Sequence, residues 1–373
     1  MRVLYFSRDY GPHDHRFLSA LAGSGHQVFY LRLERGLRQV EDRPLPQGIE
    51  ALDWNGGTRP VRLSDGPPLL SGMKRVLEQV NPDVVHAGPI QTCGLLAALA
   101  KAHPLLVMSW GFDLMKDAER APAWRWATRY TLNKADWFTS DCQTTRDRAI
   151  HYGMPIERTT VFPWGVDLAH FSPLPRQAAP GKGAGFTLFC NRSWEANYGV
   201  DVLAHAFVRV ARERQDVRLL LAGGGSQADL IRDILSEAGT VNKVEFCGQV
   251  SQADLPGLYR RADLYISPSH VDGTSVSLLE AMACGLPCLV SGIPANREWV
   301  QDGLNGWLFP DGDDQALASR VMQAMDVRDS LEQLGRTSRS IAETRADWNE
   351  NVKALLKIYN QIGRKPQDFV NAQ

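Results

Sequence analysis

The chain has no long apolar run. No stretch approaches the roughly eighteen unbroken apolar residues that a membrane-spanning helix needs, and the opening MRVLYFSRDYGP is too short an apolar run for a secretory signal. A soluble, cytoplasmic protein is expected. C-x-x-C pairs are also missing: the six cysteines, Cys93, Cys142, Cys190, Cys247, Cys284 and Cys288, stand mostly in apolar segments, where buried thiols outnumber metal ligands and disulfides. Neither charge sign is in excess, with 41 Lys and Arg against 42 Asp and Glu. The halves match as well, 20 basic and 18 acidic residues up to Ser172 and 21 and 24 after it, so no basic half exists to hold nucleic acid. A dinucleotide fingerprint is lacking too. Gly223-Gly224-Gly225 closes an apolar run without the G-x-G-x-x-G spacing or a well-placed acidic ribose partner about twenty residues on.

What is present is a globular composition, 44% apolar and 22% charged, over 373 residues, a length at which one core stops being the default. Short β-rich runs alternate with segments of helical spacing. The first is Val3–Ser7, followed by the Gly11-Pro12 turn and then Phe17, Leu18 and Leu21. Further runs fall at Gln27–Leu33, Val84-Val85, Leu105–Met108, Trp137–Thr139 and Thr160–Phe162. Such alternation without hairpin signals implies a parallel sheet covered on both faces. After a break of proline and glycine around 163–180, a second series begins at Phe186–Cys190 and continues through Val217–Ala222, Val244–Cys247, Leu264–Ser267 and Pro287–Val290. Two doubly wound α/β domains are expected, 1–172 and 173–345, followed by an amphipathic closing segment, 346–373.

The most informative stretch is 263–306. An apolar run ends at Ser267-Pro268, and Asp272-Gly273-Thr274-Ser275 then lead into Val276, Leu278, Leu279, Ala281 and Met282 at helical spacing. Backbone N–H groups at Thr274, Ser275 and Val276 would cradle an anion, with carboxylates at Asp272 and Glu280 on either side. An anion flanked by carboxylates fits phosphate joined to a polyhydroxyl. For an isolated carboxylate pair, a solvated helix in any α/β domain is the better account.

The longer pattern is specific. Asp272-x7-Glu280, then AMACGLP and NREW with DGLNGWLF, resembles the signature of the retaining glycosyltransferases of family four, which have the GT-B fold. The resemblance implies two Rossmann-like doubly wound parallel-sheet domains facing each other across a cleft, with the closing helix crossing back to the first. GVDxxxF at 165–171 is similar to the family's domain junction. The family usually has Glu where Asp272 stands.

Carried over residue by residue, the resemblance assigns Glu280 to the nucleotide ribose, Asp272 to the transferred sugar, and Arg192 with the Thr274–Val276 amides to the leaving diphosphate. Arg192 begins the loop Arg192-Ser193-Trp194-Glu195-Ala196-Asn197-Tyr198-Gly199, which resembles the family's Arg…Lys-Gly motif. Tyr198 occupies the lysine position and the loop is one residue longer, so half the usual positive charge is missing. A surface arginine is the plain alternative. Glu195, Asn197, Tyr198, Gly223, Gly248 and Gly273 complete the donor-side candidates. An ordinary tight βα turn explains Gly223 as well as nucleotide contact does.

On the acceptor side, Gly11-Pro12-His13-Asp14-His15-Arg16 fills the first βα loop, where the family often has a glycine pair. His13 or His15 could orient an acceptor hydroxyl and Arg16 could meet an acceptor phosphate. Equally, Asp14 caps the helix and the histidines are merely exposed. Trp110-Gly111 stands where many relatives have His-Gly, an aromatic wall in place of a hydrogen-bonding partner, and Asp113 matches the family. His86 fits a strand end where it would hold a neighbouring loop. The run Trp124-Arg125-Trp126, Arg129-Tyr130 and Lys134 suits a membrane interface or a lipid-linked acceptor. A helix packed on the sheet with charged stems reaching outward is the preferred reading.

The reading is a retaining glycosyltransferase that moves a sugar from a UDP- or GDP-sugar to a hydroxyl of a glycan, lipid-linked or small-molecule acceptor. By the resemblance it uses same-face attack without a dedicated base. No cofactor and no metal site are expected, nor a nucleic-acid partner, and peripheral contact at the inner membrane face stays open. A GT-B nucleotide-sugar epimerase or hydrolase is one alternative. A non-catalytic partner subunit, motivated by Tyr198 and Trp110, is the other.

Overall fold

The computed structural model describes residues 1–35, 41, 43–174 and 185–363. The chain divides into two compact units, Met1–Phe162 together with Val352 onward, and Pro163–Asn351. No helix among the described residues is long and apolar enough to cross a membrane.

The first unit holds a seven-stranded sheet in the order β3-β2-β1-β4-β5-β6-β7. Its strands are β1 (Arg2–Ser7), β2 (Gln27–Arg32), β3 (Ile49–Ala51), β4 (Val84–Gly88), β5 (Leu105–Met108), β6 (Trp137–Ser140) and β7 (Thr159–Val161). All of their pairings are parallel. Each strand except the short outer ones is apolar on both faces, as a sheet covered twice requires. One face packs Leu4, Phe6, Leu31 and Val85 against Met73 and Val76 of the helix Gly66–Val80.

The second unit holds a six-stranded sheet in the order β10-β9-β8-β11-β12-β13. These are β8 (Phe186–Cys190), β9 (Val217–Ala222), β10 (Val244–Gly248), β11 (Leu264–Ser267), β12 (Cys288–Ser291) and β13 (Gly306–Phe309), again paired in parallel. Residues 163–172, expected to end the first domain, pack with this unit. Val166 and Phe171 are buried in its core beside Phe189 and Tyr259. Arg339 Nη1 donates to the carbonyls of Phe171 and Ala283 at 2.8 and 2.7 Å. The apolar side chains therefore assign a segment that looks like a linker from its prolines and glycines.

Two strands escape the sequence reading. β3 is three residues inside a Pro- and Gly-rich region, and β13 is four residues that open on glycine. His86 also differs from expectation. It lies within β4, fully buried, and its Nδ1 sits 2.8 Å from the Tyr359 hydroxyl of the closing helix Trp348–Ile362, so it ties down that helix rather than a loop. Burial pushes its imidazole down to about 3, which keeps it neutral.

Candidate active site

In the second unit β8 is bonded to β9 on one side and β11 on the other, so the strand order reverses there. The loops leaving the carboxyl ends of β8 and β11 emerge side by side at this switch point, where doubly wound sheets bind ligands. They are joined closely. Gly199 has φ of +59°, and a Cβ built on it would lie 2.3 Å from the Pro268 carbonyl oxygen. His270 N donates to Asn197 O at 2.9 Å, and the His270 ring reaches Asp311, its Nδ1 2.6 Å from Oδ1.

Arg192 spans the two loops. Its Nη2 donates to Asp272 Oδ2 at 2.5 Å, and its Nη1 donates to Ser275 Oγ at 2.7 Å and Ser277 Oγ at 3.0 Å. The Tyr198 ring covers the guanidinium, 4.3 Å from Cζ to centroid. The Arg192 side chain is 11% exposed and that of Asp272 16%. Burial is the largest single influence and opposes the charge on Arg192, but Asp272 together with Tyr198, Tyr265 and Cys190 more than offsets it, so the guanidinium is held above its ordinary value. Burial likewise pushes the Asp272 carboxyl up, with Arg192 pulling the other way. Tyr265 adds a hydroxyl bond to Ser277 Oγ at 2.8 Å.

The helix Val276–Ala283 starts at this point. Ser275 is its N-cap, accepting from Leu278 N at 3.4 Å, and the first backbone bonds run from Leu278 and Leu279 to Ser275 O. The amides of Val276 and Ser277 therefore precede the first helical bond, as an anion cradle requires. Thr274 is buried and its Oγ1 accepts from Trp299 Nε1 at 3.2 Å. Glu280 lies one turn further along, 3% exposed, with Oε2 2.8 Å from the Tyr259 hydroxyl. Asn191 Nδ2 donates to that hydroxyl at 2.9 Å. Sequence reasoning missed Tyr259 and Tyr265 because both read as core aromatics. Ser277 was legible in principle, as a hydroxyl in the first turn of a helix that opens a candidate anion site.

Other donor-side candidates hold the scaffold. Glu195 accepts from Ser226 N and Oγ at 3.0 and 2.6 Å. Gly223 has φ of +100° and its N donates to Gly248 O at 2.7 Å. Trp194 N donates to Gly224 O, and a Cβ on Gly225 would lie 2.5 Å from Trp194 O, so the glycine run is the close-packed turn under the Arg192 loop. Asp311 faces His270 and Asp313 caps the helix Asp314–Asp326.

In the first unit Asp14 caps its helix, as the plainer reading had it. It is fully buried and accepts from Gly11 N at 2.9 Å and the Tyr5 hydroxyl at 3.0 Å, and burial pushes its carboxyl up to about 7. His13 meets Trp110 edge to face at 5.6 Å. His15 Nδ1 lies 3.4 Å from Ser19 Oγ, and its ring is lowered by burial. Arg16 is partly exposed. Asp113 is fully buried and accepts from Ser109 Oγ, Trp110 N, Leu114 N and Ile90 N, with burial raising it to about 6. It organises the loop below Trp110 and has no surface with which to meet a substrate. The helix Pro122–Lys134 buries Ala127, Thr128, Thr131 and Leu132, whereas Trp126 is 54% exposed and stacks on Tyr130 at 5.3 Å. The helix thus packs on the first unit's core, Tyr130 partly buried against it, while Arg125, Trp126, Arg129 and Lys134 lie exposed.

Two family models match the chain in succession. Residues 13–170 match Glycosyltransferase Family 4, and residues 176–341 match Glycosyl transferases group 1. The chain belongs to glycosyltransferase family 4. It is 32% identical over 203 residues to the phosphatidyl-myo-inositol mannosyltransferase of Mycobacterium leprae, covering 54% of this chain and 53% of that one. The aligned part is therefore about half of that relative. It is 27% identical to the GDP-mannose-dependent alpha-(1-6)-phosphatidylinositol monomannoside mannosyltransferase of Mycolicibacterium smegmatis, covering 68% of this chain and 70% of that one. Among solved structures, Anabaena HepE in complex with UDP-glucose superposes with a TM-score of 0.78 at 18% identity, covering 97% of this chain and 100% of that one. That likeness shows the GT-B fold. Within family 4 this glycosyltransferase keeps Arg192 and Glu280 of the expected pattern and departs from it at Asp272, Tyr198 and Trp110.

Proposed function

We propose that the chain transfers a sugar from a nucleoside diphosphate sugar to an acceptor hydroxyl with retention of configuration. The observation that carries this reading is Arg192, held at the opening of the helix Val276–Ala283 by Ser275, Ser277 and Asp272. A cation beside the first amides of a helix is suited to a diphosphate, and it acts most strongly as charge builds on the leaving group. Glu280 takes the ribose hydroxyls by exchanging its Tyr259 contact, and Asp272 takes hydroxyls of the transferred sugar. Attack proceeds on the face the leaving group departs from, a phosphate oxygen accepts the acceptor proton, and no metal or dedicated base is required. The acceptor is met by the first unit's loop at Gly11, His13, His15 and Arg16 and by Trp110.

GDP-mannose in the name of one relative and UDP-glucose held by HepE both support a nucleoside diphosphate sugar as donor. Phosphatidylinositol in the relatives' names supports a lipid-linked acceptor, and the outward Trp126, Arg129 and Lys134 suit its membrane surface. The test is a thermal-shift series with UDP-, GDP- and ADP-sugars, followed by transfer to lipid-linked and soluble acceptors and determination of product configuration. One donor raises the melting temperature, since it binds only the folded chain. The reading fails if no nucleotide sugar shifts it, or if the product is inverted. Nucleotide release without glycosylated product would favour hydrolysis or epimerisation instead.

A further inference from the structure

Arg192 stands on a loop, yet its guanidinium is fixed from several directions. Ser275, Ser277 and Asp272 take its Nη donors, and such hydrogen bonds lie in the guanidinium plane. These bonds occupy three of the five N–H donors, and a phosphate that approaches through the Nη groups competes for them. Tyr198 is different, because Arg192 Cζ lies over its ring, 4.3 Å from the centroid, a contact that uses none of them. The ring is anchored independently of Arg192. Tyr198 is partly buried against the second unit's core, its N donates to Glu195 O at 2.9 Å, and the next residue is the Gly199 that is locked against Pro268.

We propose that Tyr198 is a positioning residue that keeps Arg192 aimed at the donor diphosphate after Asp272 and the serines release it. The family pattern places lysine here and meets the diphosphate with two cations. In this chain one stacked, planar fork addresses two phosphate oxygens at once, a geometry that a lone flexible cation does not hold. The proposal rests on Arg192 being the phosphate ligand, as in the function proposed above.

Calorimetric titration of UDP, GDP, UMP and GMP into the full chain separates the two ideas, using Tyr198→Phe, Tyr198→Leu, Arg192→Gln and the double variant Tyr198→Leu/Arg192→Gln. Tyr198→Phe keeps the ring face and binds the preferred diphosphate as the unmodified protein does. Tyr198→Leu weakens that diphosphate about three- to tenfold, the range expected of a lost cation–π contact, while the monophosphate is unaffected. In the Arg192→Gln background the same change adds nothing, because the ring has no cation left to hold. If Arg192→Gln leaves diphosphate binding intact, the phosphate-ligand reading falls. If Arg192→Gln weakens binding, the positioning role alone falls on any of three results: Tyr198→Leu has no effect, its effect survives in the double variant, or Tyr198→Phe is as damaging as Tyr198→Leu.

Discussion

Arg192 Nη2 donates to Asp272 Oδ2 across 2.5 Å, joining the loop after β8 to the loop after β11. Until a phosphate arrives, Asp272 occupies one edge of the cation that would bind it. Removing either partner should therefore have opposite effects on binding. Arg192→Ala is expected to weaken nucleoside diphosphate and to lower transfer at least about tenfold. Asp272→Ala lowers transfer by a similar factor but leaves diphosphate affinity equal to or tighter than before, since Arg192 is released. Affinity by calorimetry beside turnover by product formation decides it, and parallel losses of affinity in both variants would refute the exchange.

Glu280 is buried and its Oε2 lies 2.8 Å from the Tyr259 hydroxyl. Glu280→Gln keeps the volume and an acceptor for that hydroxyl, so the melting temperature should barely move. Nucleotide-sugar affinity should drop at least about tenfold, because hydrogen bonds to a charged acceptor are the stronger ones. Glu280→Ala removes one of two acceptors of the Tyr259 hydroxyl, which keeps the Ser277 carbonyl at 2.9 Å, so urea midpoints should show a loss below the roughly 1–3 kcal/mol of an unpartnered buried hydroxyl.

Gly199 combines a φ of +59° with a Cβ position 2.3 Å from Pro268 O. Gly199→Ala must open the contact between the two loops. A loss of roughly 1–3 kcal/mol in urea unfolding is expected, together with weakened donor binding through displacement of Tyr198 and Arg192. An alanine variant of full stability would show that the loops are not held so closely.

Asp14 gives stability a pH dependence. Its folded value, raised to about 7 by burial, lies above the ordinary carboxylate value, so the folded state binds the proton more tightly. The associated stability is complete below about pH 4 and is lost as pH rises through about 7. Urea midpoints between pH 5 and 8 should fall more steeply for the unmodified chain than for Asp14→Asn. Equal slopes would remove Asp14 as the cause.

Much of this was legible in the sequence. The β-rich runs, their glycine and proline punctuation and the Asp272-x7-Glu280 spacing are local features, and local backbone preference and side-chain periodicity suffice to place strands, helices and the helix N-terminus, whereas Arg192 was assigned to that site only by the family resemblance. Other features depended on which distant segments pack together. Asp113 matches the family pattern yet is buried under four donors, and residues 163–172 read as a linker yet join a core. His86 finds its partner 273 residues away on Tyr359. The tyrosine that replaces a lysine at 198 shows as a missing charge in the sequence, and only the folded loops turn it into a ring stacked on Arg192. Periodicity carries information over a few residues, whereas contacts such as these are selected by burial and chain crossing across the whole unit.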